Sequence, residues 1–230
     1  MLEKKMPSRT SKIYLAAKQT ADLAIASAAT LLFLPILALL VPVLWFVQGS
    51  PFFFSQERLG RGGAPIRLLK LRSMRPNAIA PEQLGQVRLD SELVTPIGRL
   101  LRRSKIDELP QVWSVLKGDM SLVGPRPALT SALQGYCPIQ MKRLQVKPGL
   151  TGWAQINGNA ELTWDERVAL DVWYVDHRSL RMDLRILAGT LAVIIWGEKA
   201  DMMNIGEAVT YAKSLDRCGR EHQYRTLDPL

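Results

Sequence analysis

The densest chemistry in the chain lies in Arg102-Arg103-Ser104-Lys105-Ile106-Asp107-Glu108, three cations running into two adjacent carboxylates. Adjacent acids beside cations suit a site that handles phosphate with a divalent metal, because Mg²⁺ favours one or two carboxylates plus substrate phosphate oxygens. Neighbours on a helix point about 100° apart, so the two acids could take different tasks. The same Ser104-x-x-Asp107 spacing also fits a capping box, and acids in a first turn are favoured by the helix dipole; taken by itself, the pattern favours capping. Arg126, between prolines in Gly124-Pro125-Arg126-Pro127, is a guanidinium held on a stiff backbone, with less entropy to lose on binding an anion. Lys70 and Arg72 alternate as on one face of a strand. The loop PGLTGWAQINGNA has glycines that permit close backbone approach to a ligand and Trp153 for stacking on a ring. His177 and His222 are isolated, and Cys137 and Cys218 stand far apart, which argues against a zinc site or a disulfide framework.

These residues need elements to position them. Phe52–Gln56 and Ile66–Arg72 read as strands around the turn Gly60-Arg61-Gly62-Gly63. Thr95-Pro96 is a helix start, with a second helix expected from Ser104, since Leu109, Val112, Trp113 and Leu116 recur at helical spacing. Residues 75–93 read as a loop, and further helices are expected over 128–145, 164–177 and 184–196. The last contains an apolar run, Ile186–Trp196, too short to cross a bilayer and so either core or interfacial.

With 230 residues and a net charge of +9, an anionic partner is expected, yet the mean hydropathy of +0.01 is high for so basic a chain. Charge and apolar residues must be segregated along the sequence. Leu23–Val47 is 25 residues without a charge, long enough to cross a roughly 30 Å hydrocarbon core. Lys4, Lys5, Arg9, Lys12 and Lys18 precede it and Arg58, Arg61, Arg67, Lys70, Arg72 and Arg75 follow it, so both flanks favour the cytoplasmic side. Pro35 at its middle predicts a bend. The expectation is a re-entrant helical hairpin, with a Pro-kinked spanning helix as the alternative.

KLRSM (70–74), TPIGRLLRRSKIDELPQVWSVLKGDMSLVGPRP (95–127), PGLTGWAQING (148–158) and LDVWYV (170–175) occur in an order and spacing that resemble the bacterial sugar transferase family, the monotopic phosphoglycosyl transferases. The resemblance runs from about Ala17 to Trp196. It implies an α+β fold: a mostly helical monotopic membrane protein with a Pro-kinked re-entrant N-terminal helix (membrane kink at Pro35) and a small β-hairpin beside the active site. The expected units are an N-terminal amphipathic segment and membrane helix over 1–50, a catalytic domain on the cytoplasmic face over 51–200, and a C-terminal tail over 201–230. The length matches the family's small, core-only form.

The resemblance further implies transfer of a sugar 1-phosphate from a UDP-sugar to polyprenyl (undecaprenyl) phosphate at the bacterial inner membrane, with Mg²⁺ as cofactor, membrane lipid as a partner and no nucleic acid. Asp107 matches the family's nucleophilic aspartate and Glu108 its metal-associated glutamate. Arg102 and Arg126 match arginines near the phosphates, and Lys70 and Asp183 match polar positions of the active site. The family often pairs a serine with the kink proline; here Leu34 precedes Pro35. The alternative class of function is a non-catalytic, membrane-anchored basic module binding anionic lipid or nucleic acid; such a module gains nothing from acids inside its most basic stretch.

Overall fold

The computed structural model describes residues 12–75 and 91–215. Most of the loop expected over 75–93, the chain beyond Leu215 and the basic residues before Lys12 lie outside the described residues.

The first element, α1, runs over Lys12–Gln48 without interruption, through both Pro35 and Pro42. Proline removes one helical hydrogen bond and can bend a helix without ending it, so a helix that continues through Pro35 is compatible with the bend expected there. One stripe of α1 faces the protein from end to end. Tyr14, Lys18 and Asp22 bond to the body, Ala26 is fully buried in the main core, Leu44 is buried against Leu71 and Leu101, and Gln48 closes the far end. The steps between these residues are multiples of three or four, the spacing of one helix face. The other face exposes Leu31, Leu32, Leu39 and Phe46.

After α1, β1 (Phe53–Leu59) and β2 (Pro65–Leu71) form the expected antiparallel hairpin, with Lys70 opposite Phe54 and Arg58 opposite Ile66. Arg72, beyond the strand end, donates to the carbonyls of Gln48 and Gly49, the unpaired acceptors at the C-terminus of α1. Next come α2 (Pro96–Arg103), a 3₁₀ turn over Ile106–Gln111 and α3 (Val112–Leu116). The short strands β3 (Ser121–Val123) and β4 (Gly149–Thr151) pair in parallel.

The continuous helix expected over 128–145 is instead two 3₁₀ turns, Thr130–Gly135 and Lys142–Gln145, flanking one turn of α-helix, α4 (Pro138–Met141). Pro138 disfavours helical backbone at Cys137 and forces the restart. Then follow α5 (Trp153–Ile156), α6 (Trp164–His177), α7 (Leu180–Trp196) and α8 (Met202–Leu215). Thr163 and Glu166 form a reciprocal capping box on α6, and the Ser179 hydroxyl accepts from Met182 N to start α7 four residues before the expected position.

The core gathers Val112, Val115, Met120, Leu122, Leu170, Tyr174, Val175 and Ile186, with Ala26 from α1. In α7, Ile186 is fully buried in the core, whereas Leu184, Leu191, Ile195 and Trp196 are exposed. The first part of the C-terminal segment expected over 201–230 forms α8, whose Ile205 and Ala208 are buried in the main core.

Candidate active site

Thr95 Oγ1 accepts from Gly98 N at 2.9 Å and Pro96 opens α2, as the sequence predicts. Gly98 is required here, since a Cβ at this position would meet the Ser73 carbonyl oxygen at 1.9 Å. Helix α2 therefore lies directly on the backbone that follows β2. At its far end, Ser104 does not cap the next turn; its hydroxyl donates back to the Leu100 carbonyl at 2.8 Å. Lys105 then takes a left-handed conformation (φ 58°, ψ 13°), and the chain restarts as the 3₁₀ turn that carries Asp107 and Glu108. The capping reading of Ser104-x-x-Asp107 fails, because the serine serves the preceding helix.

Glu108 joins three segments. Its Oε1 accepts from Lys70 Nζ of β2 at 2.6 Å and from an Arg126 guanidinium N–H at 3.0 Å. Burial alone would raise Glu108; Arg126 and Lys70 outweigh it and hold the carboxyl below the usual carboxylate range. Burial lowers Lys70, with Glu108 opposing, and Glu108 raises Arg126.

Asp107 differs from its neighbour. It is 6% exposed, and among the described residues its Oδ1 has no hydrogen-bond partner. Burial, followed by the charge of Glu108, pushes Asp107 above its ordinary value, while Lys70, Arg102 and Lys105 pull the other way. Arg102 donates through Nε to Ser73 Oγ at 2.9 Å and feels both acids. The structure thus gathers Lys70, Arg102, Asp107, Glu108 and Arg126 into one site.

Asp183 has different company. At the start of α7 it accepts from Tyr14 (2.9 Å), Lys18 (3.0 Å) and Tyr174 (2.7 Å), which tie α1 to the core.

Arg58 and the pair Arg143–Asp171 support the site without a mark in the sequence pattern considered above. Arg58 lies on the same ladder face as Lys70, bonded to Gln56 Oε1, and is close enough to Arg126 and Glu108 to feel both; burial lowers it to about 10. The period-two pattern Gln56-x-Arg58, read across the hairpin from Lys70, was the available signal. The buried pair Arg143–Asp171 was not readable, because its members come from the 3₁₀ turn before β4 and from α6. Arg143 also donates to the Arg126 carbonyl at 3.0 Å and so fixes the backbone that presents that arginine.

The loop 148–160 differs in role from its sequence expectation. Cβ atoms at Gly149 and Gly152 would meet Gly124 backbone atoms at 2.1 and 2.2 Å, so these glycines let two backbones of the chain approach each other. Trp153 is buried, stacked on Trp173 with centroids 5.6 Å apart and Arg185 over its ring, and is not open to a ligand ring.

The family model described as Bacterial sugar transferase matches residues 13–197, which carry all five gathered side chains. This chain belongs to the bacterial sugar transferase family. It is 45% identical over 168 residues to the uncharacterized sugar transferase EpsL of Bacillus subtilis (strain 168), covering 73% of this chain and 82% of that protein. With the UDP-glucose:undecaprenyl-phosphate glucose-1-phosphate transferase of Caulobacter vibrioides it shares 39% identity over 192 residues, 80% of this chain and 71% of the relative. It is 42% identical over 167 residues to the galactosyl transferase CpsE of Streptococcus agalactiae serotype III, covering 66% of this chain but 36% of that longer protein.

For a sugar transferase the contrast within the acid pair has chemical meaning. Glu108 is neutralised by its own protein and orders the cations. Asp107 keeps a buried oxygen without a bond among the described residues, in the field of several cations.

Proposed function

We propose that this sugar transferase moves a sugar 1-phosphate from a UDP-sugar to polyprenyl phosphate, undecaprenyl phosphate in bacteria, as the first membrane step of a polysaccharide or glycoconjugate. The single observation that carries the proposal is the Asp107 carboxylate oxygen that has no partner among the described residues, beside the Lys70–Glu108–Arg126 cluster. The names of the Caulobacter and related proteins supply the substrate class.

In the first step an Asp107 oxygen attacks the β-phosphorus of the UDP-sugar. The bond from that phosphorus to the bridging oxygen breaks, and UMP leaves with the electron pair. The sugar phosphate remains on Asp107 as an acyl phosphate. In the second step a phosphate oxygen of the polyprenyl phosphate attacks the same phosphorus, Asp107 departs as carboxylate, and polyprenyl-diphosphate-sugar forms. Splitting one displacement into two lets a small buried carboxylate meet a soluble donor and a lipid acceptor in turn. Each step brings an anion onto an anion, so the preorganised charges of Lys70, Arg102 and Arg126 lower both barriers. Asp107 must be ionised to attack, and its burial makes that anion less stabilised, hence more reactive, than one in water.

Mg²⁺ fits this donor set. Both cations bond to Oε1 of Glu108, and among the described residues Asp107 Oδ1 has no partner, so carboxylate oxygens remain for an ion. Mg²⁺ is usually held by one or two carboxylates together with substrate phosphate oxygens. Glu108, with the open Asp107 oxygen next to it, would supply the protein share, and the ion would offset charge on the diphosphate and on departing UMP.

The catalytic body belongs at the cytoplasmic face of the bacterial inner membrane, with α1 entering the lipid and returning. Supporting this, Tyr14 and Lys18 at one end of α1 and Gln48 at the other bond to the same body, a poor arrangement for a helix whose ends lie across a bilayer. The exposed apolar face of α1 supplies the lipid contact, and Pro35 and Pro42 supply the weak points at which it can bend. Cysteines at Gln19 and Ser50 are expected to label from the same side; labelling from opposite sides would defeat the re-entrant placement.

The activity is tested with the protein in detergent, Mg²⁺, undecaprenyl phosphate and a panel of UDP-sugars. At least one sugar should give UMP in equal amount to the lipid-linked product. Absence of UMP across the panel would reject the proposed function.

A further inference from the structure

Among the described residues only Lys105 (φ 58°) and Asn159 (φ 40°) combine a side chain with positive φ. Left-handed backbone is disfavoured for a residue with a Cβ and persists only where its surroundings impose it. One carboxylate reaches both. Glu198 Oε1 accepts from Lys105 Nζ at 2.9 Å and from Asn159 Nδ2 at 2.7 Å, and its Oε2 accepts from Ala160 N at 3.3 Å.

We propose that Glu198 is a positioning residue for the transferase site, bracing the left-handed turn that presents Asp107 against the facing loop at Asn159. The inference rests on the reading of Asp107 as nucleophile. It assigns a role to a residue just beyond the family match, which ends at residue 197.

The placement follows from local structure. Gly197, with φ 87° and ψ 174°, ends α7 in an extended positive-φ conformation that suits glycine and delivers Glu198 toward the site. Lys105 stands two residues before Asp107, at the junction where α2 stops and the 3₁₀ turn begins. A rotation of its backbone would swing the Asp107 carboxylate away from Lys70 and Arg102. On the other side, the Asn159 carbonyl accepts from Arg167 of α6 at 2.7 Å, so the loop is pinned to the core while Glu198 pins Lys105 to the loop. Both Glu198 oxygens already serve protein donors, and this separates it from a group that touches substrate. Burial raises Glu198, but the bonds from Lys105 and Asn159 outweigh it and keep the carboxyl below its ordinary value, so it stays an acceptor at working pH.

The test uses the full chain in detergent and a double-mutant cycle. Because a misplacement of about 1 Å can cost on the order of 100-fold, Glu198→Ala should lower kcat by roughly 30- to 100-fold with KM for the UDP-sugar within about twofold. Glycine takes positive φ without support, so in a Lys105→Gly background the same Glu198→Ala change should cost less than about fivefold. An equal loss in both backgrounds would overturn the brace, as would a rise in KM with kcat unchanged, which would mark a substrate contact. Amide hydrogen exchange over 104–108 and 158–161 gives a readout independent of turnover. Faster exchange in Glu198→Ala supports the brace even if the parent protein releases no UMP with any sugar, a result that would sink the functional reading alone; unchanged exchange would sink the brace.

Discussion

Asp107 and Asp183 are both buried to the same degree, 6% exposed, and the family resemblance marks both as site positions, yet their surroundings are opposite. Asp183 is saturated: two tyrosine hydroxyls and one ammonium satisfy its two oxygens, and every partner belongs to α1 or α6. Asp107 keeps a buried oxygen without a bond among the described residues, and the cations near it are shared with Glu108. A saturated carboxylate fastens elements together, because breaking it exposes three orphaned donors. An unsaturated one is held at a cost in stability and is free to form a new bond. Burial alone does not separate scaffold from chemistry; the state of the remaining lone pairs does.

The contrast breaks first at Asp107 itself. Asp107→Asn should reduce UMP release by roughly 10³-fold or more, since loss of a nucleophile removes the whole covalent route. The same change should raise the melting temperature. A carboxyl whose folded pKa lies above its unfolded value loses stability as pH climbs through that interval, so at neutral pH the ionised Asp107 is a destabilising group that asparagine removes. An inactive variant that is also less stable than the parent would undo the distinction.

Arg126→Ala comes next, with kcat lowered by roughly 100-fold, in the range seen when one preorganised electrostatic group is lost. Glu108 then loses one of its two cations and moves back toward ordinary carboxylate behaviour, so the acid-side fall in stability should begin at higher pH than in the parent. The sign follows from linkage. A depressed carboxyl contributes stability above its unfolded pKa and loses it only as pH falls through the folded one. Unfolding followed against pH checks this shift.

Asp183→Ala sharpens the other arm. It should cost about 3 kcal/mol of stability, the scale of breaking one side of a buried ion-paired cluster, with turnover per folded molecule within a few-fold of the parent. Thermal unfolding together with activity corrected for folded fraction decides the matter. Tyr174→Phe should show the same pattern at about 1 kcal/mol, one hydrogen bond in a buried cluster.

Sequence alone reached further into the site than into the elements that carry it. Lys70, Arg102, Asp107, Glu108 and Arg126 lie in the segments that carry the family resemblance, and the hairpin and the start of α2 follow from turn and capping chemistry. Three features were not legible for physical reasons. Ser104 and Asp107 fit a cap in one dimension, and only the left-handed Lys105 shows that the serine belongs to the preceding helix. The glycines of the 148–158 loop look the same whether they face a ligand or another backbone, and here they face Gly124. Helix α1 reads as a membrane segment by composition, whereas its contact stripe from Tyr14 to Gln48 depends on partners a hundred or more residues away at one end and within 50 residues at the other.

The central claim is that Asp107 carries the sugar phosphate between donor and acceptor. The most direct measurement is intact-protein and peptide mass after mixing the protein, Mg²⁺ and its UDP-sugar without polyprenyl phosphate. A burst of UMP close to one per active site, with a sugar-phosphate adduct on Asp107 that is absent in Asp107→Asn and discharged by added polyprenyl phosphate, is the predicted result. UMP formed only when acceptor is present, with no adduct at any time, would contradict it.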